Sequence, residues 1–271
     1  MSGPVPGSVA RIGIAPVKGL ALVGPDEVDV TPTGVAGDRR YALLDAQHRL
    51  ANGKGLGPLV RIVPTTGDDP ETLVLRLPDG TKVGGEVTLG REIGAVFYGY
   101  ERPARVVEGP YAEVLSEAAG QPLTLVRMTG EGTGLDRADE GGSVSIVSAA
   151  ALAAMAIAAG LDAPVDSRRF RMTFTIDGVE AHAEDGWMRR PIRIGGAVVR
   201  PGGNIGRCAV TTQDPDTGIR SLDTLRLIAE TRGDLLASEP LPFGVWAEVL
   251  VPGRVRVGDP VEPLPDGWGS A

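Results

Sequence analysis

Residues 204–218 read Asn-Ile-Gly-Arg-Cys-Ala-Val-Thr-Thr-Gln-Asp-Pro-Asp-Thr-Gly and hold the chain's one cysteine, Cys208. A thiolate is both a nucleophile and a soft metal ligand, and an adjacent guanidinium such as Arg207 favours ionisation of the thiol. Arg207-Cys208 is therefore the pair best suited to reactive chemistry. The alternative is a small buried hydrophobe, since free cysteine is among the most buried residue types. Positive charge suited to holding an anion is found at four further places: Lys18 on a loop bounded by Pro16 and Gly19, the pair Arg39-Arg40 after Gly37, Lys54 in a glycine-rich loop, and Arg168-Arg169-Phe170-Arg171. Arginine forks match phosphate or carboxylate bidentately, so the last cluster reads as an anion site. Arg39 and Arg40 can bind an anion or pair with nearby acids. His182 and His48 lie far apart in sequence and neither has a second histidine at helical spacing, which excludes a histidine zinc site. A nucleophilic pair of Cys208 with His182 has no local signature to support it.

These residues need a scaffold of short elements. Among 271 residues there are 39 glycines, 22 prolines and only 4% aromatics, a composition of many strands and turns and few long helices. Strands are expected at 9–14, 27–30, 41–44, 59–63, 73–77, 87–89, 97–102, 105–107, 143–147, 172–176, 192–194 and 197–200. A short strand after Cys208 should lead into the turn Asp214–Gly218, and a closing hairpin should pair 246–250 with 254–257. Helices are expected at 112–119, at 149–159 behind Ser148 as cap, and at 222–232 behind Ser221. The fold class is mainly β with a few helices. Composition shifts near Gly109-Pro110, dividing the chain into 1–109, 110–265 and a tail, 266–271. A loop carrying Gly130–Gly134 and the acidic residues of 136–140 precedes the strand at 143.

A net charge of −8 argues against a nucleic-acid or anionic-membrane surface, so an anionic ligand must be held by a local basic cluster. One cysteine excludes an internal disulfide framework and a multi-cysteine metal cluster. No Gly-x-Gly-x-x-Gly or Walker spacing stands between a strand and a helix, so neither a Rossmann nor a P-loop site is supported. The first residues are neither charged nor followed by a long apolar run, and no stretch of about 18 apolar residues occurs. The expected setting is cytoplasmic, with no membrane partner.

Ala15-Pro16-Val17-Lys18-Gly19, Gly37-Asp38-Arg39-Arg40, Arg169-Phe170-Arg171, Glu184-Asp185-Gly186-Trp187, Gly206-Arg207-Cys208 through Asp214-Pro215-Asp216-Thr217-Gly218, Pro242-Phe243-Gly244 and Val257-Gly258-Asp259-Pro260-Val261 occur in one order and spacing. In these motifs the chain resembles MOSC-domain proteins that carry an N-terminal β-barrel partner domain, the group of the mitochondrial amidoxime-reducing components and their bacterial relatives. The resemblance implies a β-barrel MOSC domain beside a β-barrel-like N-terminal domain. It also implies a molybdenum cofactor (molybdopterin) bound between them, with pyridoxal phosphate not expected. Cys208 would be the catalytic residue and molybdenum ligand. Cofactor contacts would fall on Lys18, Arg39, Lys54, Arg169, Arg171, Thr173 and Arg207. The sequence departs from the family pattern at Gly19, Lys54, Met172-Thr173 and Gly206.

The function so implied is reduction of N-oxygenated (N-hydroxylated) small molecules. Electrons would come from a separate ferredoxin- or flavin-type reductase, since the chain has no cysteine set of its own for a cluster. The alternative is a sulfur carrier or sulfurtransferase acting through a Cys208 persulfide, which needs an exposed thiol of low pKa. A third reading is a cofactor-binding protein without turnover.

Overall fold

The computed structural model describes residues 7–51, 53–129, 144–237, 239–265 and 267–268. The expected loop at 130–142, Ser143, Asn52 and most of the 266–271 tail lie outside them. The described elements in chain order are β1 (Gly7–Ile12), β2 (Glu27–Thr31), β3 (Gly34–Val35), β4 (Tyr41–Leu44), β5 (Val63–Asp68), β6 (Glu71–Arg76), β7 (Lys82–Glu86), β8 (Leu89–Phe97) and β9 (Tyr100–Val107). They continue with α1 (Tyr111–Ala119), β10 (Thr124–Met128), β11 (Val144–Ser148), α2 (Ala149–Ala158), β12 (Phe174–Asp177), β13 (Ile192–Ile194), β14 (Ala197–Gly206), α3 (Thr224–Arg232), β15 (Pro242–Val251), β16 (Gly253–Arg256) and β17 (Pro260–Pro263). The fold is mainly β, as expected. None of the described helices is long and apolar enough to cross a membrane.

Seven strands close a barrel in the order β1-β12-β11-β15-β14-β13-β17. Its inward residues, among them Ile12, Ile146, Phe174, Ile176, Ile192, Ile194 and Val245, form one buried core. Branched side chains at every second position satisfy the period-two pattern of a strand with one face in a barrel. Outside the barrel, α2 lays Ala151, Leu152, Met155 and Ala156 against Leu227 and Ile228 of α3 and Phe243 of β15.

The other half is a four-stranded sheet, β4-β10-β9-β8, and a three-stranded sheet, β5-β6-β7. Leu43, Leu73, Leu75, Leu115 and Leu125 fill the space between them. Tyr41 donates its hydroxyl to Glu71, and Arg127 Nε reaches the same carboxylate at 2.8 Å, so one ion pair bridges β4, β6 and β10. The expected division at 109/110 does not match the pairing. Gly109 has φ 111° and Pro110 starts α1, whose Tyr111 donates to Leu73 O at 2.7 Å, and β10 pairs with β4 and β9. This half therefore continues to Met128, while β1 belongs to the barrel.

Other local expectations also change. Residues 57–61 form a short 3-10 helix behind Pro58, not a strand. Tyr98-Gly99 is the turn of the β8–β9 hairpin, interrupting the strand expected across it. The last hairpin is absent because β16 pairs with β2 instead of β15. Ser148 does not cap α2; its hydroxyl accepts the His182 amide at 2.9 Å.

That bond docks the 3-10 helix Ala183–Trp187 on the barrel, with Trp187 entering the core and Glu184 fully buried. Burial pushes the Glu184 carboxyl above its ordinary range; Ser148 lies beside it and offsets only part of this, and neither oxygen meets a donor in good geometry. A carboxyl with a raised folded pKa contributes fully to stability below its unfolded pKa, and that contribution is lost as pH rises. Each unit of elevation corresponds to about 1.4 kcal/mol. Glu184→Gln should therefore be relatively more stable than wild type at pH 8 than at pH 5, as read by denaturant melts at the two pH values. A difference that does not change with pH would show that Glu184 is ionised in the fold.

Candidate functional site

Cys208 leaves the barrel at the end of β14. Gly206 N–H donates to Glu239 Oε2 at 2.9 Å and Arg207 N–H to Leu241 O at 3.1 Å, which tie down the two residues before it. Cys208 itself is extended and solvent-exposed. The next residues, Ala209–Thr212, form a 3-10 helix where β-prone types suggested a strand. Thr211 Oγ1 donates to Cys208 O at 3.0 Å and Thr212 Oγ1 to Ala209 O at 2.7 Å, local bonds that draw the backbone away from a ladder. The thiol is thus at the surface on a short constrained turn, and the buried-hydrophobe alternative does not hold.

The guanidinium of Arg207 is anchored within the protein. Nε donates to Phe243 O at 2.8 Å, Nη1 to Phe170 O at 3.0 Å and Nη2 to Met172 Sδ at 2.8 Å, while the group lies 5.5 Å from the Phe170 ring centre. Phe170 and Phe243 stack at 4.5 Å. Arg207 therefore joins the start of β15 and the segment before β12 to the residue next to Cys208. His182 packs edge-on against Phe243, and burial, followed by the charge of Arg232, pushes its imidazole down to about 4, so it is neutral at pH 7.

The basic cluster at 168–171 divides by role. Arg168 bridges Asp166 and Asp216, at 2.6 Å each. Arg169 donates to Gln213 O at 2.7 Å, Thr212 O at 3.2 Å and Ser221 Oγ at 2.7 Å. It thereby holds the chain just after Cys208, and it takes Ser221 from its expected capping role; Asp223 caps α3 instead. Thr173 is buried and exchanges hydrogen bonds with Ser145. Of the residues expected to touch a cofactor, Arg169, Thr173 and Arg207 thus make the internal contacts that hold the frame.

The remaining expected residues gather on adjoining loops. Arg171 has φ 53° at the end of the 3-10 helix Ser167–Phe170, and Arg39 Nη2 donates to its carbonyl at 3.4 Å. Arg39 N–H donates to Ala15 O, and Asp38 accepts the Ala15 amide, which brings the Lys18 loop to the Arg39 turn. The Lys18 ammonium lies 5.8 Å from the Tyr98 ring centre. Lys54 is exposed, and its neighbour Gly53 accepts Gln213 Nε2 at 2.8 Å, next to the Cys208 turn. Loops of the other half therefore reach the barrel half at two places, Arg171 and Gln213. Gly57 and Gly218 meet backbone to backbone across this joint, where a Cβ on Gly57 would come within 2.2 Å of Gly218 O.

Between the halves lies a cavity of about 300 Å³ whose wall includes Arg169 and Arg171 but not Lys18, Arg39, Lys54 or Cys208. Arg61 and Arg76 also line it. Sequence reading missed them because each stands alone in its own stretch; only the fold places them opposite the 168–171 cluster. Among the described residues no three His, Cys, Asp or Glu side chains gather as a metal cage. A single exposed cysteine sulfur suits a metal whose other ligands are brought with it.

Residues 137–262 match the MOSC domain. The human mitochondrial amidoxime-reducing component 1 (Homo sapiens) is 28% identical over 286 residues, covering 94% of this chain and 82% of that protein. The human mitochondrial amidoxime reducing component 2 is 38% identical over 99 residues, covering 34% of this chain and 29% of that protein. Among solved structures, the YUAD protein of Bacillus subtilis aligns over 96% of this chain and 97% of its own at 12% identity, with a TM-score of 0.43.

The Arg207 anchor has a measurable consequence. Hydrogen bonds from a charged donor contribute about 1.5–3 kcal/mol each, and carbonyls left without donors add a penalty. Arg207→Ala should lower stability by about 2–3 kcal/mol, and Arg207→Lys should recover only part, because a point ammonium cannot span the Phe170 and Phe243 carbonyls. Chemical denaturation of the three proteins is the measurement; equal stabilities would remove the anchoring role.

Proposed function

From a chain that carries a MOSC domain and is similar along nearly its whole length to an amidoxime-reducing component, we propose a molybdenum-cofactor-dependent reductase of N-hydroxylated small molecules, with Cys208 as the protein's ligand to the metal. The observation that supports the reading is the exposed thiol of Cys208 on a constrained turn, with the Lys18 and Arg39 loops joined to each other and to Arg171, and the Lys54 loop bonded to Gln213, five residues after the cysteine. The donor set fits such a group. It offers one soft sulfur and no protein cage among the described residues, as suits a metal that arrives on its own organic ligand, together with cations for a phosphate on that ligand.

When bound, the cofactor supplies two-electron reduction of an N–O bond, with two protons taken up and the oxygen released as water. The chain's own residues have simpler tasks. Cys208 offers its sulfur at the surface, open to a small substrate. Lys18, Arg39, Lys54 and Arg171 hold the anionic part of the cofactor. Arg207, Arg169 and Thr173 keep the frame. Electrons come from a separate reductase.

Cys208→Ser should abolish reduction of an N-hydroxylated substrate and lower bound molybdenum, with thermal melting unchanged, because a serine hydroxyl stays protonated near neutral pH while a thiol ionises. Arg171→Ala should lower cofactor occupancy with the fold intact. Elemental analysis, turnover with an added reductase and thermal melts measure these outcomes. A serine variant with full molybdenum and activity would refute the assignment, and a wild type that carries persulfide and never molybdenum would favour sulfur transfer.

A further inference from the structure

The cavity between the two halves holds more positive charge than its ion pairs engage. Arg168 and Arg169 meet Asp216 and Asp214 along its wall. From the opposite half come Arg61, at the end of the 3-10 helix behind Pro58, and Arg76, at the end of β6. Both are exposed, and neither side chain makes a hydrogen bond or ion pair with the described residues. Gln213, on the same wall, is 5% exposed; it gives its amide nitrogen to Gly53 O and leaves Oε1 without a donor. Leu22, Val60, Val63 and Val210 complete the lining with apolar surface.

We propose that this cavity is a second binding site, for a small organic phosphate whose oxyanion sits on Arg61 and Arg76 and whose compact apolar body packs against Leu22, Val60 and Val210. Three features of the lining call for such a ligand. The protein as a whole carries a net charge of −8 and repels anions, so guanidinium groups left without carboxylate partners on a concave wall are the local exception that can attract one. Guanidinium forks bind phosphate oxygens bidentately, and their bonds strengthen where walls partly exclude water. An apolar wall with one unsatisfied acceptor suits an organic body bearing a hydroxyl or amide better than a bare ion. The ligand would touch both halves at once and so stabilise their joint by mass action. Lys18, Arg39, Lys54 and Cys208 are not on the wall and Arg171 is, so this site adjoins the proposed cofactor site and shares that one arginine with it, while Arg61 and Arg76 belong to the cavity alone.

The test uses phenyl phosphate and inorganic phosphate, titrated calorimetrically into the full-length protein at constant ionic strength, with thermal melts alongside. The variants are Arg61→Gln/Arg76→Gln together and Arg76→Gln alone, the latter serving if the double variant does not fold. Wild type should bind one phenyl phosphate with a rise in melting temperature, about tenfold more tightly than inorganic phosphate. The substitutions should weaken this by about tenfold while molybdenum content stays at the wild-type level. Absence of saturable binding, equal affinity for the two probes, or binding insensitive to the substitutions would overturn the proposal. So would loss of molybdenum from the variants, which would make the cavity part of the cofactor site. The binding measurements need no molybdenum, so they stand or fall separately from the proposed reductase activity.

Discussion

One guanidinium sets the geometry on which the rest of the site depends. The Phe170 carbonyl ends a turn before β12 and the Phe243 carbonyl lies at the start of β15, where a ladder cannot satisfy both. Arg207 satisfies the two together and lies against the ring of Phe170, whose stack with Phe243 covers the contact. The approach is so close that Gly244, at φ 73°, has no room for a side chain: a Cβ there would come within 2.6 Å of Met172 Cε and 2.7 Å of Ile146 O. Cys208 follows directly in sequence. The reactive residue is thus placed by the rim of a closed barrel and not by a loose loop, the kind of support that keeps a functional atom in register.

The second constraint is the joint between the halves. It is made by the backbone contact of Gly57 with Gly218, by the Gln213 side-chain amide donating to the Gly53 carbonyl, and by Arg39 reaching the Arg171 carbonyl. These contacts leave arginines of both halves around a shared space. Charge is sorted locally: Arg168 and Arg169 are tied to acids and carbonyls and give structure, whereas the side chains of Arg61 and Arg76 line the cavity with no such partners among the described residues. Five arginines on one wall therefore do not amount to five available charges.

What could be read from residues alone follows the same division between local and distant causes. The turn at 214–218 was legible because Asp214 accepts the Asp216 and Thr217 amides and Gly218 takes φ 73°, all within five residues. The helices at 111–119 and 149–158, ended by left-handed Gly120 and by Gly160, were legible for the same reason. Cys208 stood out by its neighbours, but its exposure did not, because Val210 and the two threonines after it favour a strand until threonine hydroxyls bond back to the chain. The partners of Arg169 and Arg207 were hidden, since they are carbonyls about 40 residues away that no side-chain pattern advertises. The pairing of β16 with β2 was hidden likewise, being decided by packing between opposite ends of the chain.

That last property bears on how the protein is made. β1 lies between β12 and β17, with Gly7 opposite Val261, so the barrel has no complete wall until residues from both ends are present together. During synthesis the sheets of residues 41–128 can pair among themselves as they emerge, but the first strand must wait for almost the last. Contacts this far apart in sequence make closure slow and leave open strand edges in the interval. The rim that carries Cys208 is finished only after residues 260–263 have emerged, and anything enclosed between the halves has to arrive at or after that moment.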